Sequence, residues 1–389
     1  MKLLVIYPPF APSTIMPYSI GHLKGMLKNT KALDLNAKFH KLKFNINLKE
    51  LADTRVHEKN NRLILNGEKP EFFDELLSLI NNEKPDSVAF SLVYNSQCFY
   101  TRKLIEHLEV PVYLGGPAVS PKLNGKHVDL TQLPVEFKRN PKPDFSDFNK
   151  VDYLSPEITP VKSSEGCFYK NCAFCTHHKD TPYKELPLDL NGDYLFFIDD
   201  MIPLDRLKQI ASKVPKNTKW WAQLRPTKDL VSYLRYLSEN GLKSVAWGVE
   251  SGSQKMLNLM KKGTKVEDMS KVLRAAKEAG MINTVYVMFG FPGETKENFL
   301  QTMEFLKKHD QYIDLVSTST FGLHKGTEVY NNPGKYGIKI WQEQRTFLDD
   351  KIHFYPKPKD YQKNYRRTIE KINKLPKEYV LFKEQTLLL

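Results

Sequence analysis

The sequence predicts two α/β units in tandem. An N-terminal doubly wound, Rossmann-like domain is followed by a partial (β/α)6 TIM-like barrel and a small basic C-terminal piece. Three observations carry this prediction. Short apolar runs alternate with segments of helical spacing over the first 145 or so residues, as strands joined by crossover helices do. From residue 158 onward, six strand candidates recur at roughly thirty-residue steps, the period of βα units. At 389 residues the chain is too long for one ordinary core. The expected boundaries are 1–145 for the first domain, 146–157 for a linker, 158–330 for the barrel and 331–389 for the extension.

In the first domain, residues 2–7 form a continuous apolar run stopped by Pro8 and Pro9, as a buried parallel strand would be. A helix is expected over 19–27 and a second strand over 33–39. Residues 71–81 have helical spacing, with Phe72, Leu76, Leu79 and Ile80 on one face. Strands are expected over 87–93 and 111–114, with a helix over 98–108 between them. The ligand crevice of such a sheet lies beyond the strand C-termini. That places Pro8 and Pro9 (within 8–12), Ser91 (within 91–96), and Gly115 and Gly116 as candidate contacts. Glycine loops suit phosphate or nucleotide tails, although they also serve simple turns. Neither G-x-G-x-x-G nor a Walker motif is present, so a common dinucleotide or nucleoside triphosphate is not expected.

Pro141, Pro143 and Pro156 interrupt a stretch rich in Asp and Lys without periodicity, which marks the linker. Beyond it the strand candidates are 158–162, 194–198, 219–223, 244–249, 283–289 and 315–320. Helical segments lie over 230–240, 254–260, 266–280 and 296–308. Polar residues gather at the strand C-termini: Asp199 and Asp200, Gln223 and Arg225, Glu250-Ser251-Gly252-Ser253, and Gly290-Phe291-Pro292-Gly293-Glu294. In a βα barrel that end carries function.

Three of the four cysteines, Cys167, Cys172 and Cys175, lie within nine residues, directly after the first strand of this series. A structural zinc site normally closes with four protein ligands, and an electron-transfer cluster with four cysteines. A [4Fe–4S] cluster on three thiolates leaves one iron open for a small molecule. His177 and His178 keep a Cys3His zinc knuckle in view. Disulfides are less expected, because no signal peptide or long apolar stretch is visible and the thiols of a cytoplasmic chain stay reduced. Hydrophobic content of 41% and charged content of 26% are those of a soluble globular protein, and no membrane association is expected. The net charge of +13 is partly concentrated in residues 351–389, with ten Lys or Arg against four acidic residues. Such a tail suits a solvated helix surface, an acidic peptide or a nucleic acid. No residue set for base-specific readout accompanies it, so nucleic acid is not the expected partner.

The order of pieces is specific. Tyr7-Pro8-Pro9, Gly115-Gly116, Pro143-Asp144-Phe145, Tyr153-Leu154, the cysteine loop, Phe197-Ile198-Asp199-Asp200, Gly248-Val249-Glu250-Ser251-Gly252 and Gly290-Phe291-Pro292-Gly293-Glu294 follow one another. In this the chain resembles the radical S-adenosylmethionine (SAM) superfamily, and within it the branch with an N-terminal cobalamin-binding-like domain, from residue 1 to about 330. Two departures stand out. The usual C-x3-C-x2-C is C-x4-C-x2-C here, and Glu165 stands where many relatives have arginine.

The resemblance implies that Cys167, Cys172 and Cys175 hold a [4Fe–4S] cluster whose open iron binds SAM, and that one electron cleaves SAM to a radical that abstracts hydrogen from an unactivated carbon. It implies a SAM site built from Phe174 near the adenine, Glu250 and Ser251 for ribose or the methionine amine, Gly290 and Gly293 for close backbone approach, and Gln223 and Arg225 for the carboxylate. Phe168, Tyr169 and Phe174 would wall the cluster from water. Asp199 and Asp200 would contact substrate or SAM, or cap the following helix. A reductant such as flavodoxin or ferredoxin is implied as partner.

The D-x-H-x-x-G motif of many cobalamin domains is absent, and the 34–40 region carrying His40 has the wrong spacing. Relatives that lack this histidine are thought to bind cobalamin without a protein ligand below cobalt. Cobalamin implies methylation at carbon; without it, isomerisation, oxidation, ring closure or epimerisation is expected. Trp341, Phe347, Tyr355, Tyr361 and Tyr365 among the lysines of the C-terminal piece suit a peptide or protein substrate. A zinc-stabilised nucleic-acid-binding protein and a cobalamin-responsive regulator are the readings from other classes. Cys98 is expected to be a buried helix residue.

Overall fold

The structure is a computed structural model that describes residues 1–11, 14–45, 55–120, 123–139, 141–176, 181–342, 352–357, 369 and 371–373. Pro12, His177, His178, Phe347, Tyr361, Tyr365 and most of the basic tail lie outside the described residues. The chain divides into two compact units, one running to Pro160 and the other starting at Val161.

The first unit is built on five parallel strands: β1 (Leu3–Tyr7), β2 (Thr30–Asp34), β3 (Ser87–Ser91), β4 (Val112–Gly115) and β5 (Lys126–His127), in the order β2-β1-β3-β4-β5. Every residue of β1 and β3 is buried, as expected of central strands covered on both faces. The order 2-1-3-4-5 reverses between β1 and β3, so the crevice of this doubly wound sheet opens at their C-terminal ends. Helices Tyr18–Met26, Phe73–Asn82 and Gln97–Ile105 stand near their expected places. Within Phe73–Asn82 the buried positions are Phe73, Leu76 and Ile80, with Phe72 just outside as a left-handed cap. Helix Arg55–Leu65 and the short β5 have no counterpart in the sequence reading.

The second strand departs from expectation. It spans only Thr30–Asp34, and residues expected to continue it form helix Leu35–Phe44. The cause is local: the Asp34 carboxylate accepts a hydrogen bond from the Ala37 N–H at 2.8 Å, which caps the helix and ends the strand. The 146–157 stretch packs on this unit. Tyr153 donates its hydroxyl to Asp34, the buried Asp152 pairs with Lys38 and Lys41, and the Asp147 carboxylate accepts the Ala32 N–H.

The unit boundary falls inside β6 (Ile158–Val161), the first strand of the second sheet. Two short strands follow, β7 (Ser164–Glu165) and β8 (Lys184–Glu185). Then come β9 (Tyr194–Phe197), β10 (Lys219–Leu224), β11 (Leu242–Glu250), β12 (Ile282–Phe289) and β13 (Leu315–Thr320). The sheet order β13-β12-β11-β10-β9-β6 follows the chain without a swap and leaves β6 and β13 as edges. This is the open six-stranded barrel anticipated from the thirty-residue period.

One face of each strand packs against the helices. Leu195, Phe197, Trp220, Val245, Trp247, Val285 and Phe289 share a core with Leu207, Leu237, Val272 and Phe299. Register places Gln223, Ala246 and Thr284 in one row on the opposite face, and Gly248, Tyr286 and Ser317 in the next. Helix Leu204–Lys213 is an addition to the expected set, and the expected 230–240 helix is a short turn plus helix Leu234–Glu239. Helices Gln254–Leu259, Val266–Glu278 and Lys296–Lys308 complete the layer, the last opened by a Thr295–Asn298 capping box. After β13 the chain forms a short hairpin of β14 (Lys339–Gln342) and β15 (His353–Tyr355).

Candidate active site around the cysteine loop

The loop that carries Cys167, Cys172 and Cys175 leaves the C-terminal end of β6 and is closed at its neck by β7 pairing antiparallel with β8. Glu165, unexplained from the sequence, is part of this neck opposite Lys184. Gly166 opens the loop at φ +71°, where an added Cβ would lie 2.9 Å from the carbonyls of Thr181 and Pro182, so no side chain fits. Two groups brace the neck. The buried Asp199 carboxylate accepts from Ser163 N–H and from both Ser163 and Ser164 hydroxyls. Arg206 donates to Glu185, to the Ser163 carbonyl and to the Leu186 carbonyl. Asp199, expected to meet substrate or to cap a helix, therefore supports the loop's neck; the following helix starts after Pro203 without a side-chain cap.

The loop itself rests on the C-terminal ends of β11, β12 and β13. Ala173 N–H donates to the Met260 carbonyl at 2.9 Å, and Val329 N–H donates to the Ala173 carbonyl at 3.2 Å. Ala173 is fully buried in a second core with Met256, Met260, Met288, Phe291, Phe321 and Val329. This core also takes in Tyr336, Ile338 and Phe354, so the C-terminal piece packs at the loop rather than apart from it. Phe174 meets Phe291 edge to face at 6.4 Å, which joins the loop to Gly290-Phe291-Pro292-Gly293-Glu294. Phe168, expected to shield the loop, is 43% exposed.

The three loop cysteines are half-buried, whereas Cys98 is buried in its helix with its thiol directed at the Ala118 carbonyl. Among the described residues, no three His, Cys, Asp or Glu side chains converge as a single-ion cage. His177 and His178, the further zinc donors weighed from the sequence, lie outside the described residues.

Burial pushes the Cys172 thiol up, while the Lys262 and Arg225 cations work in the opposite direction. Lys262 is buried and pairs with Glu250 at 2.9 Å. Burial alone would lower the Lys262 ammonium, but Glu250 and Cys172 outweigh it and hold the group above its ordinary value. Glu250 sits at φ +62°, a left-handed position at the end of β11, beside a register shift after Gly248. A Cβ at 248 would lie 2.8 Å from Lys262 Nζ and 3.1 Å from Glu250 Oε1, so the missing side chain leaves room for the pair. Sequence reasoning missed Lys262, since nothing local separates it from the exposed Lys261.

The other expected SAM contacts divide. Gln223 lies on the inner row. Arg225 is buried; its Nη2 donates to the carbonyls of Lys262 (2.8 Å) and Gly263 (3.1 Å), while its buried Nε has no hydrogen-bond partner among the described residues. Ser251 is fully buried and its hydroxyl is engaged by Thr302 at 2.9 Å, so it faces helix Lys296–Lys308. Gly290 donates its N–H to Glu294 at 2.6 Å, and burial pushes that carboxyl up to about 7. Gly293, at φ +87°, has only the Leu259 side chain near its missing Cβ.

In the first unit the candidate contacts gather at the β1/β3 crevice. Pro8, Pro9 and Ser91 are buried there. Gln97 binds both flanking loops, donating to the Pro8 carbonyl and accepting from Val93 and Tyr94 N–H. Gly115 is open, but at Gly116 a Cβ would lie 2.3 Å from the Leu92 carbonyl oxygen, which accounts for that glycine by close backbone approach. His40 is buried, donates its Nδ1–H to the Asn36 carbonyl at 2.7 Å, and is lowered by burial to about 4.

Residues 199–306 match the radical SAM superfamily family model. The chain is 26% identical over 190 residues to an uncharacterized methyltransferase of Pyrococcus horikoshii, covering 44% of this chain and 40% of that one. It is 25% identical over 210 residues to a probable threonylcarbamoyladenosine tRNA methylthiotransferase of Methanocaldococcus jannaschii, covering 46% and 48%. The chain thus spans less than half the length of these relatives. Its fold is similar to that of the methyltransferase TsrM from Kitasatospora setae, with cobalamin and a [4Fe-4S] cluster bound (TM-score 0.59, 15% identity, 87% of this chain and 77% of that one). It is similar also to the cobalamin-dependent radical enzyme OxsB with aqua-cobalamin bound (TM-score 0.58, 13% identity, 91% and 64%). The resemblance and the fold class drawn from the motifs are both borne out.

Proposed function

From the premise that this chain carries a radical SAM domain in the fold of the cobalamin-dependent branch, we propose that it is a radical SAM enzyme that methylates an unactivated carbon of a peptide or protein side chain. The observation that carries the proposal is the three-thiol loop braced at the C-terminal mouth of the open barrel, with Glu250, Lys262 and Arg225 directly beside it. Cys167, Cys172 and Cys175 would hold the [4Fe–4S] cluster. When bound there, the cluster supplies the electron that cleaves SAM reductively, and a reductant must recharge it.

The chain's own residues would orient the ligand. Gln223 and the Nε of Arg225, unpartnered among the described residues, are donors suited to the SAM carboxylate. Glu250 suits the ribose hydroxyls or the methionine amine, while Phe174, Gly290 and Gly293 line the approach for adenine. Ser251 would position Glu250 through Thr302. Cobalamin would enter the β1/β3 crevice beside Pro8, Pro9, Ser91, Gly115 and Gly116, and its support is the 2-1-3-4-5 order together with the fold likeness. Among the described residues no helix is long and apolar enough to cross a membrane.

The test is iron and cobalt content with a visible spectrum, on protein purified without oxygen from cells supplied with cobalamin. About four irons per chain with cobalt support the proposal. Iron without cobalt removes methyl transfer in favour of a cobalamin-independent radical reaction. Zinc in place of iron refutes the radical enzyme altogether.

A further inference from the structure

We infer that Arg225 is a positioning residue that latches the cysteine loop, through Tyr169, onto the turn that follows helix Gln254–Leu259. The inference rests on the cluster-binding role proposed for that loop. Four consecutive carbonyls of the turn face the loop and its latch. Met260 accepts from Ala173 N–H, and Lys261 accepts from the Tyr169 hydroxyl at 2.8 Å. Lys262 and Gly263 both accept from Arg225 Nη2. The guanidinium carbon lies 3.5 Å from the centre of the Tyr169 ring, so the arginine stacks on the same side chain whose hydroxyl reaches the turn.

Only a guanidinium does both tasks, since it stacks flat on an aromatic ring and directs donors in its own plane at carbonyls; an ammonium does neither in that geometry. Gly263 completes the latch. Its φ is +67°, and a Cβ there would stand 2.1 Å from the Tyr169 hydroxyl and 2.8 Å from Arg225 Nη2. The turn is tied from the far side as well, where Lys261 pairs with Glu328 at 2.6 Å. All of these bonds are made between protein groups. Second-sphere groups of this kind govern metal retention without touching the metal.

The test compares full-length wild type, Arg225→Met, Arg225→Lys, Tyr169→Leu and the Arg225→Met/Tyr169→Leu double variant. After anaerobic reconstitution, iron per chain, the spin-resonance spectrum of the reduced protein and the rate of iron loss to a chelator are read. Circular dichroism and the urea midpoint control for folding. Each single variant should keep its fold and lose iron about ten-fold faster or more. The double variant should be no worse than the singles, because both break one unit, and Arg225→Lys should not rescue. Wild-type spectra and loss rates in Arg225→Met, additive losses, or full rescue by lysine would overturn the inference. Failure of wild type to take up iron would instead overturn the cluster reading. Trypsin cleavage after Lys170 in metal-free protein then reads the latch directly, faster in both Arg225→Met and Tyr169→Leu if it exists and unchanged in both if it does not.

Discussion

Replacing Lys262 by Met should destabilise the second unit by about 3 kcal/mol. The ammonium is 2.9 Å from Glu250, with the two side chains 9% and 14% exposed. At that distance the attraction between unit charges is about 6 kcal/mol at an effective dielectric of about 20, and about 1.4 kcal/mol in bulk water. Desolvation cancels part of it, and removing one partner of a buried pair typically costs about 3–5 kcal/mol, because the other charge stays buried and uncompensated. Methionine preserves most of the stem's volume, so the loss reads charge rather than cavity. Glu250→Gln should cost a comparable amount. The Lys262→Met/Glu250→Gln double variant should recover about 2 kcal/mol of the summed losses. The assay is urea unfolding of metal-free protein at pH 7, followed by tryptophan fluorescence. All four tryptophans, Trp220, Trp221, Trp247 and Trp341, belong to the second unit, so the signal reports that unit alone. A Lys262→Met loss below about 0.5 kcal/mol, or single losses that simply add, would refute the coupling.

Two further outcomes are expected in the first unit. Burial pushes the Asp34 carboxyl up to about 6, against the opposing bonds from Ala37 N–H and the Tyr153 hydroxyl. A raised carboxyl binds more protons in the native than in the unfolded chain, so its contribution to stability falls as pH rises from about 4 to 6, by about 3 kcal/mol. Asp34→Asn removes the charge and keeps the Oδ1 cap on Ala37 N–H, while its amide nitrogen would donate to the Tyr153 hydroxyl instead of accepting from it. Its stability relative to wild type should therefore rise across pH 4–6 and level off above, as followed by circular dichroism; a constant difference would contradict the assignment. Gly116→Ala forces a Cβ to 2.3 Å from the Leu92 oxygen at φ +109° and should cost about 1–3 kcal/mol in urea unfolding. Unchanged stability would mean that the β3 and β4 loops can separate freely.

What the sequence determined by itself is the part written in local spacing. Strands such as Leu3–Tyr7 and Leu315–Thr320 announce themselves by an apolar run or by their regular interval, and helix Lys296–Lys308 by its spacing. The cysteine spacing and the Gly-Phe-Pro-Gly-Glu turn likewise need no partner to be legible. Where a single side chain outweighs propensity, the pattern fails: Asp34 turns the expected strand extension into helix Leu35–Phe44 by capping it.

What only the tertiary structure decided is the employment of the polar residues at the strand ends. Asp199 is spent on Ser163 and Ser164, Ser251 on Thr302, and Arg225 on the 262–263 carbonyls. Lys262, indistinguishable from Lys261 in the sequence, becomes a buried counterion because Gly248 leaves room for it. These partners are tens of residues apart, up to 92 for Tyr169 and Lys261. A polar side chain's role is set by whichever unpaired group folding buries beside it, and that neighbour is fixed by the register of parallel strands rather than by chain proximity.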